Sequence, residues 1–406
     1  MKPVYILEPL RTPVGKYGGK LSPVRPDDLA GDLLRTLVER LSLDASRIDD
    51  VILGCANQAG EDNRNIARMA ALLGSLPESV PAVTVNRLCA SSLEAVIQGM
   101  RAIGSGEVNM VVAGGVESMS RAPYSLPKNV SGGAQFGNIT AYDTALGWRY
   151  PNSRMEKLFP LESMGETAEN IAERWGISRQ DQDGFALQSH QRACAAQNSG
   201  AHAEEIVPVS IPQRKGDAVV IDRDEQPRAD TSVEKLSTLN AAFRKGGSVT
   251  AGNSSSLNDG AAAMVLVSES MLDEQPHLRR HVYARLVSSG AVGVDPRIMG
   301  IGPVGAIRQA CTRAGIGVED LGLVEINEAF AAQALACVRE LGLNLEIVNV
   351  NGGAIAIGHP LGMSGARILG SLVREMRRRN VRYGSAALCI GVGQGLAVVV
   401  ESVQMS

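Results

Sequence analysis

The stretch VNRLCASSLEA, residues 85–95, decides how the rest of the sequence is interpreted. An apolar, β-branched segment runs into Asn86 and Arg87, and small residues and a helix-forming run follow Cys89. This pattern predicts a strand, a sharp turn at Cys89 and then a helix. Backbone N–H groups and the positive end of a helix dipole favour the thiolate, so a thiol at this turn has a reason to be a nucleophile. The alternative is a buried cysteine that acts as a small hydrophobe.

The composition is that of an ordinary globular protein. With 406 residues, 44% of them hydrophobic and 20% charged, the chain should form two or three domains. A net charge of -3 gives no overall attraction for nucleic acid. Six cysteines lie far apart without a C-x-x-C pair, which argues against a structural zinc site or a disulfide framework and favours a reducing compartment.

Neither end of the chain has the pattern of a targeting or membrane segment. Only a four-residue apolar run precedes Glu8, which is too short for a signal peptide. The most apolar late segment, AALCIGVGQGLAVVV, is shorter than a membrane span and contains Gln394, so it is predicted to be a buried strand pair or turn. We therefore expect a cytoplasmic protein without a membrane span.

Apolar strands alternate with helical patterns in the first 119 residues and again after residue 247. The clearest helix covers about residues 26–41, with Asp27 and Asp28 in its first turn, where acidic side chains suit the dipole. The strands are too apolar for a sheet with one solvent-facing side. We therefore predict an α/β fold with a mostly parallel sheet that is covered on both sides.

Residues 120–247 differ in composition and pattern from the segments on either side. They include the Pro-, Gly- and Ser-rich stretch RAPYSLPKNVSGGAQFGN and helical patterns at about 163–175 and 178–199. Long excursions of this kind are usually functional, so we interpret this part as an inserted loop domain. The predicted divisions are an N-terminal half of residues 1–119 plus 248–272, the loop domain of 120–247, and a C-terminal half of 273–406.

The C-terminal half repeats the order of the N-terminal half. VNVNGGAIAIGHP echoes VTVNRLCAS, and AALCIGVGQG echoes MVVAGGVES. The shared order suggests two related halves, although two ordinary α/β domains could match by coincidence.

Four chemically capable side chains occupy matching places, at the junction where such folds bind ligands. They are Cys89, Asn327, His359 and Cys389. His359 stands in the most Gly-rich loop of the chain, and an imidazole near a thiol can serve as its general base. The glycines after Cys389 let backbone N–H groups approach a substrate, which suits an oxyanion site. Asn327 has an alternative interpretation as the N-cap of the next helix.

The sequence resembles the thiolase family over essentially its whole length. Six ordered motifs carry the resemblance, namely VNRLCASS, ESMGETAEN, VTAGNSSSLNDGAAA, INEAFAAQ, NGGAIAIGHPLGMSGAR and LCIGVGQG. Condensing enzymes of fatty-acid and polyketide synthesis share the fold but have a second His where this chain has Cys389. The resemblance implies duplicated βαβαβαββ halves in a layered α/β/α/β/α arrangement with an inserted loop domain.

The resemblance also implies roles for the site residues. Cys89 is expected to become acylated, with His359 as the base that accepts its proton. Cys389 is expected to protonate the leaving acetyl-CoA carbanion. Asn327, through a bound water, and His359 are implied to form one oxyanion hole, and the N–H groups of Cys89 and Gly391 the other. Separate donors suit a reaction that produces both an enolate and a tetrahedral oxyanion.

Coenzyme A is the implied co-substrate, with no permanently bound cofactor and no metal. By the resemblance, the loop domain carries most coenzyme A contacts. Ser255 is expected to contact the pantetheine, Arg228 the nucleotide end, and Met164 the acyl group. Short-chain biosynthetic thiolases commonly have His where this chain has Ser163, which favours a degradative enzyme of broader chain length.

We therefore expect a thiolase that cleaves 3-ketoacyl-CoA to acetyl-CoA and a shortened acyl-CoA, of the fatty-acid β-oxidation type. One alternative is a biosynthetic acetyl-CoA C-acetyltransferase that makes acetoacetyl-CoA. Another is a non-catalytic acyl-CoA-binding subunit of a β-oxidation complex. The resemblance further implies a homodimer or homotetramer and leaves a hydratase/dehydrogenase partner chain open.

Overall fold

A computed structural model describes residues 2–130, 132, 133 and 136–403. Part of the predicted Pro-, Gly- and Ser-rich stretch, at 131 and 134–135, therefore lies outside the described residues. Residue 1 of the predicted N-terminal half and residues 404–406 of the C-terminal half also lie outside them.

One large mixed sheet forms the centre of the described molecule. Its strands are β1 (Val4–Arg11), β2 (Gly15–Lys16), β3 (Asp50–Gly54), β4 (Ala82–Val85), β5 (Met110–Ser118), β10 (Asn258–Ser268), β11 (Val282–Gly293), β12 (Leu323–Ile326), β13 (Tyr383–Ile390) and β14 (Gln394–Ser402). Four short strands form two hairpins apart from it, namely β6 (Tyr124–Ser125) with β7 (Tyr142–Asp143), and β8 (Val209–Ile211) with β9 (Val219–Ile221).

The strand order in the large sheet is β12-β13-β14-β11-β1-β10-β5-β3-β4, with β2 beside β10. Only β3 with β4, β3 with β5, and β12 with β13 are parallel among these pairs. The prediction of a mostly parallel sheet was therefore wrong. A strand that is buried on both faces is apolar throughout whichever way its neighbours run, and the connections between strands set their directions.

The two halves share one topology. In the N-terminal half, β3 is flanked by parallel β4 and β5, and antiparallel β10 and β1 follow. In the C-terminal half, β12 is parallel to β13, and antiparallel β14 and β11 follow. An isolated parallel bridge between Val324 and Val348 occupies the place of β4. Antiparallel pairing of β1 with β11 joins the halves into one sheet.

Twelve helices surround the sheet in the described residues. They are α1 (Pro26–Leu41), α2 (Ile66–Leu73), α3 (Ser91–Ser105), α4 (Ser153–Leu158), α5 (Met164–Trp175), α6 (Arg179–Ser199), α7 (Val233–Ser237), α8 (Glu269–Glu274), α9 (Gly302–Ala314), α10 (Ala331–Leu341), α11 (Ala354–Ile357) and α12 (Leu361–Arg379). The predicted helix at 26–41 is confirmed as α1, which begins with Pro26 at its first turn and acidic Asp27 and Asp28 behind it.

The helices form three layers around the two halves of the sheet. Helices α3 and α12 pack against each other in the middle, α1 and α2 cover the outer face of the N-terminal half, and α9 and α10 cover that of the C-terminal half. Small residues permit the close central packing, since a Cβ at Gly365 of α12 would lie 2.5 Å from the backbone nitrogen of Leu93 in α3. The layered, duplicated α/β arrangement is confirmed.

Helices α5 and α6, between residues 120 and 247, pack against α10 and α11 of the C-terminal half. The three-part division of the chain stays a prediction. No helix of the described residues combines the length and apolar composition that crossing a membrane requires.

Candidate active site

Cys89 lies in a tight turn between β4 and α3. A 3₁₀ turn, Leu88–Ala90, carries it, and Leu88 has a φ of 47°, which is strained for a residue with a side chain. The side chain of Asn86 accepts the Leu88 N–H at 2.9 Å, and Ser91 Oγ accepts the Arg87 N–H at 2.9 Å. These bonds hold the predicted strand, turn and helix in place at Cys89.

The Cys89 thiol is neutral at rest. Burial raises its pKa to about 11 and outweighs the N–H groups of Gly391 and of Cys89 itself, which lower it. The negative charge of Glu117 raises this pKa further. The N–H groups at the helix start therefore favour the thiolate, as expected, but desolvation of a charged sulfur raises the pKa by more than they lower it. Those two N–H groups nevertheless point at the sulfur, where a thioester carbonyl would also lie.

His359 stands in a rigid turn between α11 and α12. Gly358 has a φ of 117°, and a Cβ there would lie 2.4 Å from the Asn258 side chain, so glycine is required at this position. Asn258, at the start of β10, accepts the His359 backbone N–H at 2.9 Å. The N-terminal half thus fixes the position of a residue that the C-terminal half supplies.

Hydrogen bonds determine which His359 nitrogen can act as a base. The Ser364 hydroxyl donates to the Pro360 carbonyl at 2.8 Å, so it accepts the Nδ1–H of His359 at 2.6 Å. The lone pair is then on Nε2, and the Asn327 amide nitrogen lies 3.3 Å from it. Burial, together with the charge of Arg367, lowers the His359 pKa to about 3. The imidazole is therefore neutral over the physiological range.

Asn327 follows β12 directly and is almost fully buried. Its backbone N–H donates to Ala387 of β13 at 2.9 Å, and its amide faces His359. The N-cap of α10 is Phe330, so the alternative interpretation of Asn327 as a helix cap was wrong. Its Oδ1 is buried without a hydrogen-bond partner in the described part of the chain.

Cys389 lies near the end of β13 and is buried among apolar side chains, including Met164 and Phe330. Burial raises the pKa of its thiol well above the ordinary range, and the charge of a Cys89 thiolate raises it further. Cys389 is therefore a protonated thiol close to Cys89. A thiol held in this state can return a proton to a carbanion that forms beside it.

A three-residue turn after β13 brings Gly391 to the nucleophile. A Cβ at Gly393 would lie 2.2 Å from the Val294 carbonyl, so glycine is required there. At Gly391 a Cβ would make only ordinary contacts, 3.5 Å from Leu88 and 3.6 Å from the Met164 sulfur. The contribution of Gly391 is therefore its N–H, which is directed at Cys89.

The three predicted coenzyme A and acyl contacts differ in their placement. Met164 begins α5 beside Gly391, with the Ser163 side chain as its N-cap. The Ser255 N–H donates to Ala329 at 2.9 Å, near Asn327 in the chain. Arg228 is exposed, outside the buried cluster, and its backbone N–H donates to the His190 ring at 3.2 Å.

Two side chains that hold His359 were missed in the sequence. Asn258 and Ser364 lie in the recognised motifs but carry no local signal that distinguishes them from their neighbours. Ser255 differs from its two serine neighbours. The hydroxyls of Ser254 and Ser256 form hydrogen bonds within the protein. The Ser255 hydroxyl has no partner in the described residues.

A second buried cluster lies behind Cys89. Ligand-capable atoms of Cys55, Asp62 and Glu117 lie within 4.8 Å of one another. The Glu117 carboxylate accepts backbone N–H groups at 3.0, 3.2 and 2.8 Å from Ala56, Asn57 and Gly362. It therefore connects the end of β3 to the first turn of α12, and sequence reasoning missed it.

Comparison with known proteins matches two family models that cover most of the chain. The N-terminal domain model of thiolase matches residues 4–270, and the C-terminal domain model of thiolase matches residues 280–402.

Curated relatives match over nearly the full length. The chain is 53% identical to the 3-oxoadipyl-CoA/3-oxo-5,6-dehydrosuberyl-CoA thiolase of Escherichia coli K12, covering 99% of this chain and 100% of that protein. It is 50% identical to a beta-ketoadipyl-CoA thiolase of Acinetobacter baylyi, with the same coverage. An acetyl-CoA acetyltransferase of Pseudomonas aeruginosa is 48% identical, over 98% of this chain and 99% of that protein.

Solved structures share the fold. The acetyl-CoA acetyltransferase of Bacillus anthracis has a TM-score of 0.91 at 43% identity, and human mitochondrial 3-ketoacyl-CoA thiolase has the same TM-score at 38% identity. Each comparison covers 99% of both chains.

Proposed function

The chain belongs to the thiolase family and is an acyltransferase, and we propose that it cleaves 3-oxoadipyl-CoA with coenzyme A into acetyl-CoA and succinyl-CoA. Thiolases use coenzyme A as a co-substrate. The reaction rests on one observation: the Cys89 turn packs against α12, the helix that follows buried His359, while Cys389 and the Gly391 N–H lie close to the Cys89 thiol. The substrate rests on full-length relatives that are named for 3-oxoadipyl-CoA or beta-ketoadipyl-CoA.

The first half of the proposed reaction acylates Cys89. Because the thiol is neutral, its proton passes to Nε2 of His359 as the sulfur attacks the C3 carbonyl. The bond between C2 and C3 then breaks, and its electron pair remains on C2 of the departing acetyl-CoA. Cys389 protonates that carbanion, which leaves a four-carbon succinyl group as a thioester on Cys89.

The second half returns Cys89 to its starting state. The thiol of coenzyme A gives its proton to the Cys389 thiolate and attacks the succinyl thioester. The Cys89 sulfur then leaves and takes its proton back from His359, which releases succinyl-CoA. Donors at two places stabilise the charges that develop, with the N–H groups of Cys89 and Gly391 on one carbonyl oxygen and Asn327 with His359 on the other. The covalent intermediate predicts ping-pong kinetics.

Residues 120–247 form the coenzyme A-binding loop domain in this proposal, between the N-terminal half of 1–119 plus 248–272 and the C-terminal half of 273–406. The unbonded Ser255 hydroxyl supports a pantetheine contact, and Met164 beside Gly391 supports a wall of the acyl pocket. Arg228, which is exposed, is assigned to the nucleotide end.

A biosynthetic acetyl-CoA C-acetyltransferase is the second candidate. It is favoured by the 48% identity to an enzyme of that name, and it would use the same catalytic residues. Fatty-acid β-oxidation substrates, expected from the sequence, have less support than 3-oxoadipyl-CoA, because the relatives that match at 49–53% identity are mostly named for beta-ketoadipyl-CoA.

The chain is proposed to act as at least a homodimer. Strand β4 lies at the end of the large sheet, and apolar side chains are exposed on it and on the adjacent α2, at Val83, Met69, Leu72 and Leu73. Such a face suits a two-fold partner. Sedimentation that finds only monomer at micromolar concentration would contradict this. A hydratase/dehydrogenase partner and a cytoplasmic location stay predictions.

Thiolysis of a substrate panel tests the proposed function. The panel contains 3-oxoadipyl-CoA, acetoacetyl-CoA, a long-chain 3-oxoacyl-CoA and 3-oxohexanoyl-CoA, which has six carbons but a terminal methyl group. We expect the highest kcat/KM for 3-oxoadipyl-CoA. Cys89→Ala should lower kcat by at least about 10⁴-fold because it removes the nucleophile, whereas Cys311→Ala, at a cysteine on the buried face of α9, should not.

Each outcome of this panel separates the candidates. Cleavage of acetoacetyl-CoA alone would favour the acetyltransferase. Preference for long chains would favour a thiolase of fatty-acid β-oxidation. Failure to cleave any member would favour a non-catalytic acyl-CoA-binding subunit.

A further inference from the structure

Arg149 stands in a segment that bridges two sides of the catalytic site. The indole N–H of the preceding Trp148 donates to the Glu162 carbonyl at 3.0 Å, two residues before Met164. On the other side, Arg149 donates to Asn57, which follows the end of β3. The segment is therefore fixed between the wall formed by Met164 and the strand ends that carry the nucleophile.

A short series of hydrogen bonds connects the Arg149 anchor to the Cys89 turn. The Asn86 side chain donates to the Ala56 carbonyl at 2.9 Å, beside Asn57. The same Asn86 side chain accepts the Leu88 N–H at 2.9 Å, one residue before Cys89. Arg149 and Cys89 thus lie at the same edge of the sheet, on neighbouring loops.

Neutral oxygens hold the Arg149 guanidinium. Nη1 donates to Asn57 Oδ1 at 2.6 Å and to the Thr144 carbonyl at 3.4 Å, and Nη2 donates to the Asn57 carbonyl at 3.0 Å. A guanidinium has five N–H donors, so the Nε–H and one Nη2–H remain. No carboxylate of the described residues forms an ion pair with Arg149. The cation is oriented but not neutralised.

The two remaining donors lie side by side on one edge of the guanidinium. This edge binds a carboxylate through two parallel hydrogen bonds in other arginines of the chain. Arg25 presents its Nε and Nη2 to both oxygens of Asp27 at 3.0 and 2.8 Å, and Arg121 presents the same edge to Glu61. In Arg149 the equivalent edge has no protein carboxylate.

Two other arginines near the site, Arg87 and Arg297, are already paired. Arg87 binds Glu94 at 2.8 Å and Arg297 binds Glu162 at 3.0 Å. These two cations are therefore not available to bind a carboxylate of the substrate, whereas Arg149 is. Half-buried placement strengthens such a contact relative to an exposed one, because water screens it less.

We propose that the free edge of Arg149 binds the terminal carboxylate of a dicarboxylic 3-oxoacyl-CoA and of the acyl group that this substrate leaves on Cys89. This site selects a substrate that ends in a carboxylate over one that ends in a methyl group. The inference rests on the proposed function, which it extends by naming the residue that recognises the acyl end.

The test compares two six-carbon substrates, 3-oxoadipyl-CoA and 3-oxohexanoyl-CoA, which differ at the terminal group. Arg149→Met should lower kcat/KM for 3-oxoadipyl-CoA by about 10- to 100-fold, as expected for loss of a charge-assisted bidentate contact. It should leave 3-oxohexanoyl-CoA and acetoacetyl-CoA nearly unchanged, which also shows that the variant folds. Arg149→Lys should restore part of the preference, because it keeps the charge but not the two-pronged geometry.

Arg121→Met is the matched control, because its equivalent edge already holds Glu61, and it should leave the ratio between the two substrates unchanged. An Arg149→Met enzyme that retains the wild-type ratio would overturn the assignment of Arg149. So would a fall of equal size for both substrates. A wild-type enzyme that does not cleave 3-oxoadipyl-CoA would instead refute the proposed function, and with it the ligand assigned to Arg149.

Discussion

Glu117 and Cys389 occupy equivalent positions in the two halves of the sheet. The last residue of β3, Gly54, pairs with Gly115, and Glu117 lies two residues after Gly115. The last residue of β12, Ile326, pairs with Ala387, and Cys389 lies two residues after Ala387. Each also faces a glycine on the next antiparallel strand. One scaffold position thus carries a carboxylate in the N-terminal half and a thiol in the C-terminal half.

The residues that directly follow β3 and β12 also differ between the two halves. Cys55 follows β3 and Asn327 follows β12. Cys55 belongs to the buried cluster with Glu117, whereas Asn327 faces His359. Glu117 in the N-terminal half therefore holds backbone segments together, while Asn327 and Cys389 in the C-terminal half are the residues that face the substrate in the proposed function.

The helix starts complete the comparison. Cys89 precedes α3 and His359 precedes α12, and these two helices pack against each other. A duplicated fold brings both helix starts together, so each half contributes one member of the proposed nucleophile and base pair. The lesson is that symmetry of the backbone places the groups and asymmetry of the side chains divides the work.

Substitutions at the equivalent positions Cys389 and Glu117 should give the largest difference in kcat between the two halves. Cys389→Ala should lower kcat for thiolysis by about 10² to 10⁴-fold, because it removes the acid that protonates the carbanion. Glu117→Gln should change kcat far less, because the amide oxygen still accepts backbone N–H groups. Steady-state kinetics at neutral pH measure both, and an equally large loss in Glu117→Gln would mean that both positions transfer protons.

Substitution at the residue after each strand should have the next largest effect. Asn327→Ala should lower kcat by about 10- to 10³-fold, since it removes one oxyanion donor. Cys55→Ala, the matched change in the other half, should leave kcat nearly unaltered. If both variants lose activity alike, the N-terminal cluster contributes directly to the chemistry.

Alkylation of Cys89 measures the protonation state of its thiol. Iodoacetamide reacts with the thiolate, and the pKa of about 11 means that the rate should rise about tenfold per unit between pH 7 and 10. Mass spectrometry of labelled peptides should show Cys89 modified before the buried cysteines, with half-buried Cys194 as the internal reference. A rate that is flat from pH 7 to 9 would reveal a preformed thiolate.

The smallest expected effect concerns stability. Burial, with the charge of Asp62 contributing, raises the Glu117 pKa from 4.5 to about 7. Between these values the folded protein binds a proton that the unfolded chain has released, so stability falls as pH rises from 4.5 to 7. This contribution is about 1.4 kcal/mol per pH unit.

Glu117→Gln should remove that part of the slope. Urea unfolding of the wild type and the variant at pH 5 and pH 7 measures it. Identical changes in midpoint for the two proteins would show that Glu117 does not titrate in this range.

Local elements were predictable because their signals are local. The helices at 26–41, 163–175 and 178–199 match α1, α5 and α6 within a residue at each end. Ser163 and Ser178 cap the latter two with their side chains. The apolar segment around Cys389 and Gln394 is the predicted buried strand pair, β13 with β14.

Pairing between distant strands was not predictable in the same way. The apolar strands indicated burial on two faces but not direction, and β1 pairs antiparallel with both β10 and β11. Asn327 matched the sequence signature of a helix cap, yet α10 begins four residues later. The start of α10 and the contact between Asn327 and His359 distinguish the two interpretations.

By itself, the sequence determined the order of strands and helices, the duplication, and the residue types at the turns, because hydrophobic period and glycine placement act over a few residues. The tertiary structure alone decided the protonation states. Cys89, with local N–H groups that favour the thiolate, is neutral because chain from both halves buries it. The His359 imidazole is neutral because it is buried, Ser364 sets which ring nitrogen carries the proton, and Asn258 holds the His359 backbone N–H. Desolvation sums over every group that packs around an atom, and that sum is defined only once distant segments have met.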